Sequence, residues 1–206
     1  RVIGPCCLLI TFYMTLKMTD ITIATHNGNF HADDVFSIAA LKNIFSTFNL
    51  VRTRDLEVIG KADVVIDVGG IYDPETGRFD HHQRGGAGER ENGIPYSSFG
   101  LVWKKYGLEI CGGNQDVANS VDSSLVSTID AIDCGHAEGV SKGISLSQTI
   151  SMFNPTWEEE SHYDVCFDEA VAFASRVLTR FIASASGGIS AKSIVAKAIE
   201  QAEDPR

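Results

Sequence analysis

Two imidazoles and two carboxylates crowd into Thr25-His26-Asn27-Gly28-Asn29-Phe30-His31-Ala32-Asp33-Asp34. Imidazole nitrogen and carboxylate oxygen together suit divalent cations such as Mn²⁺ and Mg²⁺, with Mn²⁺ favoured where histidines join the set. Three further segments carry the same chemistry: Asp67 closing Val64-Val65-Ile66-Asp67, then Asp80-His81-His82, then Asp130-Ala131-Ile132-Asp133. Adjacent histidines at a strand end are expected to point in different directions, one to a metal and one to a substrate phosphate. Side chains from four such ends can converge on two cations roughly 3.5–4 Å apart, with one carboxylate bridging both.

These segments sit where strands give way to helices. Ile21–Thr25 reads as a first strand and Asp34–Phe48 as a first helix, so the His26 loop lies at a carboxyl strand end, where open α/β sheets place ligands. Leu50–Arg54 reads as a second strand and Asp55–Lys61 as a weak helical turn. The β-branched run Ala62–Val68 is the pattern of a strand buried on both faces. Tyr72–Gly77 reads as a turn and Arg78–Asp80 as a strand running into His81-His82. Gln83–Pro95, rich in Gly, Arg and Glu, reads as a mobile surface loop. Helices are expected from Ser97/Ser98 to about Tyr106, over Gln115–Cys134, over Asp164–Ala185 and, beyond Gly187-Gly188, over Ile189–Ala202, with Ser147–Pro155 a polar connection. Strands alternating with helices and then helices alone predict an α/β fold, a mostly parallel sheet flanked by helices with a helical C-terminal part.

At 206 residues, with 44% hydrophobic and 9% aromatic content, the chain suffices for one substantial domain, expected over residues 21–206. Residues 1–20 read as an extension, either non-native upstream sequence or a targeting-like segment; the apolar run Val2–Met14 is too short to span a membrane. A formal charge of −10, from 27 acidic and 17 basic residues, excludes a protein that holds nucleic acid merely by being basic. It does not exclude a nuclease, because bound cations supply local positive charge. Five cysteines without Cys-x-x-Cys spacing argue against a disulfide framework and for a reducing, intracellular setting.

Taken together, the first-loop segment, Val51-Arg52-Thr53-Arg54-Asp55, Asp67–Pro74, Arg78-Phe79-Asp80-His81-His82-Gln83 and Ile129–Asp133 resemble the Asp-His-His (DHH) phosphoesterase superfamily. More narrowly they resemble its melanocyte-proliferating-gene (Myg-type) exonuclease family. The resemblance implies that His26, His31 and Asp67 hold one metal and that Asp33, Asp67, His81 and Asp133 hold a second, with Asp67 bridging. It makes Asp80 a residue that orients a histidine and His82 a phosphate contact. His31 stands where the superfamily usually carries a carboxylate, and Cys134 where the family usually carries Asn. Asp34 reads first as a helix-start carboxylate and second as a ligand, and Asp130 as a support or a ligand. Arg84, two residues past the metal motif, is placed to clamp a phosphate, whereas Arg52, Arg54, Arg78 and Arg90 read as solvated surface. By resemblance the substrate is single-stranded RNA or a short oligonucleotide, degraded from its 3′ end, in mitochondrion and nucleus or in cytoplasm. A second domain is expected beyond the last helix, and its absence predicts exposed apolar surface there. A small-molecule phosphoesterase acting on pyrophosphate, cyclic dinucleotides or dinucleotides (nanoRNA), and a non-catalytic metal-binding scaffold, are the alternatives.

Overall fold

The computed structural model describes residues 21–136, 143–160 and 162–202. The expected extension lies outside them. Five strands, β1 (Ile21–Thr25), β2 (Phe48–Arg52), β3 (Val64–Ile66), β4 (Tyr72–Asp73) and β5 (Arg78–Phe79), form one sheet in the order β2-β1-β3-β5-β4. The first three and β5 run parallel, and β4 alone is antiparallel, on the edge. The α/β reading with a mostly parallel sheet therefore holds.

Alternation along the strands divides the sheet between two cores. Ile23, Val64, Ile66 and Phe79 face the larger one, shared with α1 (Ala32–Leu41), α3 (Ser98–Ile110) and α7 (Tyr163–Gln201). Ala24 and Val65 face the smaller one, covered by Ile59 of the short α2 (Leu56–Ile59) together with Ala62 and Val68. Because β1 is flanked by β2 and β3, the chain leaves it in opposite senses, which makes a crevice at the carboxyl ends of β1 and β3. All ten residues of α1 are buried, Asp33, Asp34 and Ser37 included, so this helix delivers carboxylates from inside the core to that crevice.

Several elements differ from the sequence reading. The first helix ends at Leu41 instead of Phe48, because Asn43 turns its amide back onto the carbonyls of Ala39 and Ala40 (3.0 and 3.3 Å), freeing Phe48 to pair with Ile21. Tyr72-Asp73 is an edge strand, and the turn proper follows it. There Asp73 accepts from Glu75 N and Thr76 Oγ1, and Gly77 (φ 72°) lies where a Cβ would meet Asp63 O at 2.5 Å. The Gln115–Cys134 helix is interrupted: α4 (Gln115–Val121) and α5 (Ser127–Asp133) are joined by a π-helical turn over Asp122–Val126. Ser123 and Ser124 both bond back to Ser120 O there, the side-chain competition that loosens a helix. Inside Ser147–Pro155 lies part of α6 (Leu146–Ser151), opened by a reciprocal box in which Ser145 Oγ accepts from Gln148 N and Gln148 Oε1 accepts from Ser145 N.

The two C-terminal helices are one. α7 runs 39 residues through Gly187-Gly188, whose cost of roughly 1 kcal/mol each does not stop a helix flanked by good formers. Its buried stripe Phe167, Ala170, Val171, Ala174 and Leu178 packs on α1 and α4, while Ile194, Val195 and Ile199 beyond it are exposed. Among the described residues no helix is long and apolar enough to cross a membrane.

Candidate metal centre

The loops after β1, β3 and β5 and the end of α5 meet in the crevice. His26 follows β1 and is buried; Asp67 follows β3, and its backbone is held at φ 55°. A non-glycine residue in the left-handed region is uncommon, though Asp tolerates it, and such outliers gather at functional sites. Asp67 N donates to Phe79 O and Asp80 N to Ile71 O, which stitches the β3 and β5 loops together. On the opposite flank, Asn154 accepts from Phe30 N and donates to Phe30 O, both at 2.9 Å, pinning the first loop just before His31.

Asp67 is the centre of the cluster. Its Oδ2 lies 3.3 Å from His26 Nε2, and its Oδ1 lies 3.2 Å from His81 Nε2 and 3.4 Å from His82 Nδ1. The two oxygens of one carboxylate thus face two separate donor groups, the disposition a bridging ligand needs. His26 Nε2 is also 3.3 Å from Asp34 Oδ2, and His81 Nε2 is 3.2 Å from Asp133 Oδ2 and 3.7 Å from Asp33 Oδ2. Four sets offer ligand atoms mutually within 4.8 Å: His26/His31/Asp67, Asp67/His81/His82, His31/Asp33/Asp133 and His81/Asp133/Cys134. All six first-choice ligand candidates, His26, His31, Asp33, Asp67, His81 and Asp133, enter at least one of them.

The remaining candidates separate. Asp34 serves the start of α1, its Oδ1 accepting from the backbone N of His31 and Val35, while its Oδ2 lies beside His26 and enters none of the four sets. Asp80 Oδ1 accepts from His82 N and lies 2.8 Å from His82 Nδ1, and its Oδ2 takes Gly70 N, so Asp80 fixes the His82 ring. The paired histidines diverge less than expected: their ring centroids are 4.3 Å apart, and both rings reach Asp67 Oδ1. β5 ends at Phe79, so strand alternation no longer governs residues 81 and 82. They do differ in exposure, 11% for the His81 side chain against 61% for His82. Asp130 points away from the centre, to Arg90 Nη1, Ser97 Oγ and Gly100 N. Arg84 is exposed and lies outside the residues that line the three cavities beside the centre.

Two contributors were missed by sequence reasoning. Ser98 N donates to Asp33 Oδ2 and Ser98 Oγ to Asp67 Oδ1, so the start of α3 grips two candidate ligands. Its Ser-Ser signal read only as a helix cap. Asn154 lay hidden in a polar stretch and left no signal at all. The loop 83–95, expected as mobile surface, is instead anchored by half-buried Arg90 and by a strand-like bridge between Glu89 and Pro95.

Crowded carboxylates set the electrostatics. Burial pushes Asp33 well above the usual carboxylate range, and the charges of Asp67, Asp133 and Asp34 add to it. Burial likewise lifts Asp34 to about 7 against the counter-pull of His26, and raises Asp133. Asp67 is held low: burial opposes ionisation, but hydrogen bonds from His26 and His81 outweigh it. His81 rises to about 10, burial notwithstanding, through its bonds to Asp67 and Cys134. His26 rises for the same kind of reason. Asp33 Oδ1, Asp34 Oδ2 and His81 Nε2 are buried with no partner in hydrogen-bonding geometry among the described residues. Orphaned acid oxygens beside imidazole nitrogens are costly without a cation and well matched to one, so the donor set fits divalent metal.

The family model MYG1_exonuc, described as "Uncharacterised protein family (UPF0160)", matches residues 22–206. This chain belongs to the MYG1 exonuclease family. The MYG1 protein of Caenorhabditis elegans is 36% identical over 186 residues, covering 78% of this chain and 54% of the relative. The MYG1 protein of Dictyostelium discoideum is 31% identical, covering 89% and 63%. A Homo sapiens protein named MYG1 exonuclease is 35% identical over 162 residues, covering 66% and 43%. The chain thus spans less than two thirds of the length of these MYG1 relatives. No solved structure matches it.

Proposed function

We propose that the chain is the metal-dependent phosphodiester hydrolase domain of a MYG1-type exonuclease, related to the DHH phosphoesterases. The observation that carries the reading is Asp67, whose two oxygens face His26 on one side and His81 on the other within a cluster of further acids. In this reading His26, His31 and Asp67, with Asp34 beside them, hold one divalent ion. Asp33, Asp67, His81 and Asp133 hold the other. Mn²⁺ is favoured over Mg²⁺ because histidine nitrogen contributes to both sets. Bound there, such a pair supplies Lewis acidity and lowers the pKa of an attacking water to near neutrality.

The chain's own residues do the positioning. Asp67, fixed by Ser98 and by its strained backbone, sets the spacing between the two donor groups. Asp80 Oδ1, 2.8 Å from His82 Nδ1, orients the ring and leaves Nε2 open. In the imidazolium form both ring nitrogens are donors, and Nε2–H can then donate to a phosphoryl oxygen. No side chain needs to act as nucleophile. The substrate of this reading is single-stranded RNA shortened from its 3′ end, with mitochondrion and nucleus as its sites of action.

A 5′-labelled oligoribonucleotide incubated with the purified chain and Mn²⁺ tests it. A ladder of products shortening from the 3′ end, abolished by chelator and by Asp67→Asn, is the expected result. Cleavage confined to dinucleotides or pyrophosphate would move the reading to a small-molecule phosphoesterase. Absence of metal-dependent cleavage of any phosphodiester would overturn it.

A further inference from the structure

The arginines between positions 52 and 90 look alike in sequence and differ in the fold. Arg52 packs its guanidinium over the rings of Phe30 and Phe167, 5.6 and 4.4 Å from their centroids, and donates to Gly28 O and Asp164. Arg78 is spent on the carbonyls of Ala62, Asp63 and Thr76. Arg90 is paired with Asp122 and Asp130. Arg54 is different: it is exposed and forms no hydrogen bond or ion pair among the described residues. Even so, it lines the cleft of about 370 Å³ whose other walls include His26, His31, Asp67, Asp80 and His82. Among the described residues lining that cleft it is the only lysine or arginine.

Unpaired and exposed, Arg54 resembles a solvated surface charge, but it lines the same cleft as the carboxylates and pairs with none of them, so it is free to take an anionic ligand there. Arg54 forms no ion pair within 4 Å with any of them, and its side chain is exposed. The cleft wall also includes Gly70 (φ 71°), where a Cβ would meet nothing within 4 Å and the bare backbone leaves width for a sugar–phosphate chain. A planar bidentate donor with nothing to hold is suited to a phosphate.

We infer that Arg54 holds the backbone phosphate adjacent to the one being cut, making this rim a binding subsite for a nucleic-acid strand instead of a single phosphoester. The inference rests on the proposed phosphodiesterase reading and names the substrate class that reading serves. It also assigns the loop after β2 a role, so that all four parallel strands contribute to the cleft: β1 through His26, β2 through Arg54, β3 through Asp67 and β5 through His82.

Binding and turnover are measured separately. The binding probe is a short 5′-fluorescein oligoribonucleotide, titrated by anisotropy in Ca²⁺ over a range of NaCl. The turnover probe is bis(p-nitrophenyl) phosphate, a diester with no neighbouring phosphate. Arg54→Ala is expected to weaken RNA binding about tenfold and to flatten the log Kd against log salt slope by roughly one, the mark of one lost phosphate contact. Its loss on bis(p-nitrophenyl) phosphate is expected to be much smaller than its loss on RNA cleavage. Arg54→Lys should restore the slope and only part of the affinity, because the charge returns without the fork. Unchanged affinity and slope in Arg54→Ala, equal losses on both substrates, or no measurable RNA binding by the wild type would each overturn the inference. If neither ester is hydrolysed while Arg54→Ala still weakens binding as stated, the catalytic reading fails and the subsite stands.

Discussion

Two groups of buried acids lie on either side of the start of α3, and they are built on opposite principles. In one, Asp130 Oδ2 accepts from Arg90 Nη1 and its Oδ1 from Ser97 Oγ and Gly100 N, while Asp122 accepts from the other edge of the same guanidinium. Every oxygen of Asp130 is satisfied, and a cation is built in. In the other, Asp33, Asp34, Asp67, Asp80 and Asp133 face one another and four histidines, and among the described residues no lysine or arginine forms an ion pair with them. The first cluster is closed and holds the 83–95 loop against the π-helical turn and α5. The second is short of positive charge, and that shortage is what a metal-binding function would exploit.

The difference can be broken experimentally. The largest effect is expected at Asp67: Asp67→Ala should lower phosphodiester hydrolysis by about 10³-fold, measured as kcat/KM, since the shared ligand is lost to both donor groups. Next comes a contrast in stability. Arg90→Met leaves Asp130 buried without its cation and should cost about 3–5 kcal/mol in chemical denaturation. Asp33→Asn in chelator removes a buried repulsion and should stabilise the metal-free chain, by about 0.5–2 kcal/mol. If both substitutions destabilise alike, the two clusters are not opposites. Ser98→Ala should reduce metal affinity or activity by roughly 10–100-fold, as loss of a ligand's hydrogen-bond support does, while leaving the midpoint of unfolding nearly in place. Smallest, Asn154→Ala should cost about 1–3 kcal/mol by freeing both backbone groups of Phe30, read by thermal or denaturant unfolding.

The strongly patterned parts of the fold were legible in the sequence: the buried run Ala62–Val68, whose centre Val64–Ile66 is β3, the parallel sheet, and the first helix, which starts at Ala32, two residues before the expected Asp34. Features decided by single side chains over distance were not. Asn43 ends α1 early, the serines around 120–124 open a π-helical turn, and Gly187-Gly188 fails to break α7. In the candidate centre, the acids and histidines could be named because their residue types carry the chemistry. Their supports could not, because Ser98 and Asn154 look like any cap or loop residue until the fold brings them to Asp67 and Phe30. The arginines show the same limit, since whether each is already paired depends on partners as remote as Asp164, Asp122 and Asp130.

The account stands on the open cluster taking up cations. Calorimetric titration of Mn²⁺ into the wild type and Asp67→Asn, with bound metal counted after dialysis, tests this directly. The prediction is two ions per wild-type chain and loss of tight binding at both in Asp67→Asn. A wild type that retains no metal, or an Asp67→Asn variant that binds like the wild type, would contradict it.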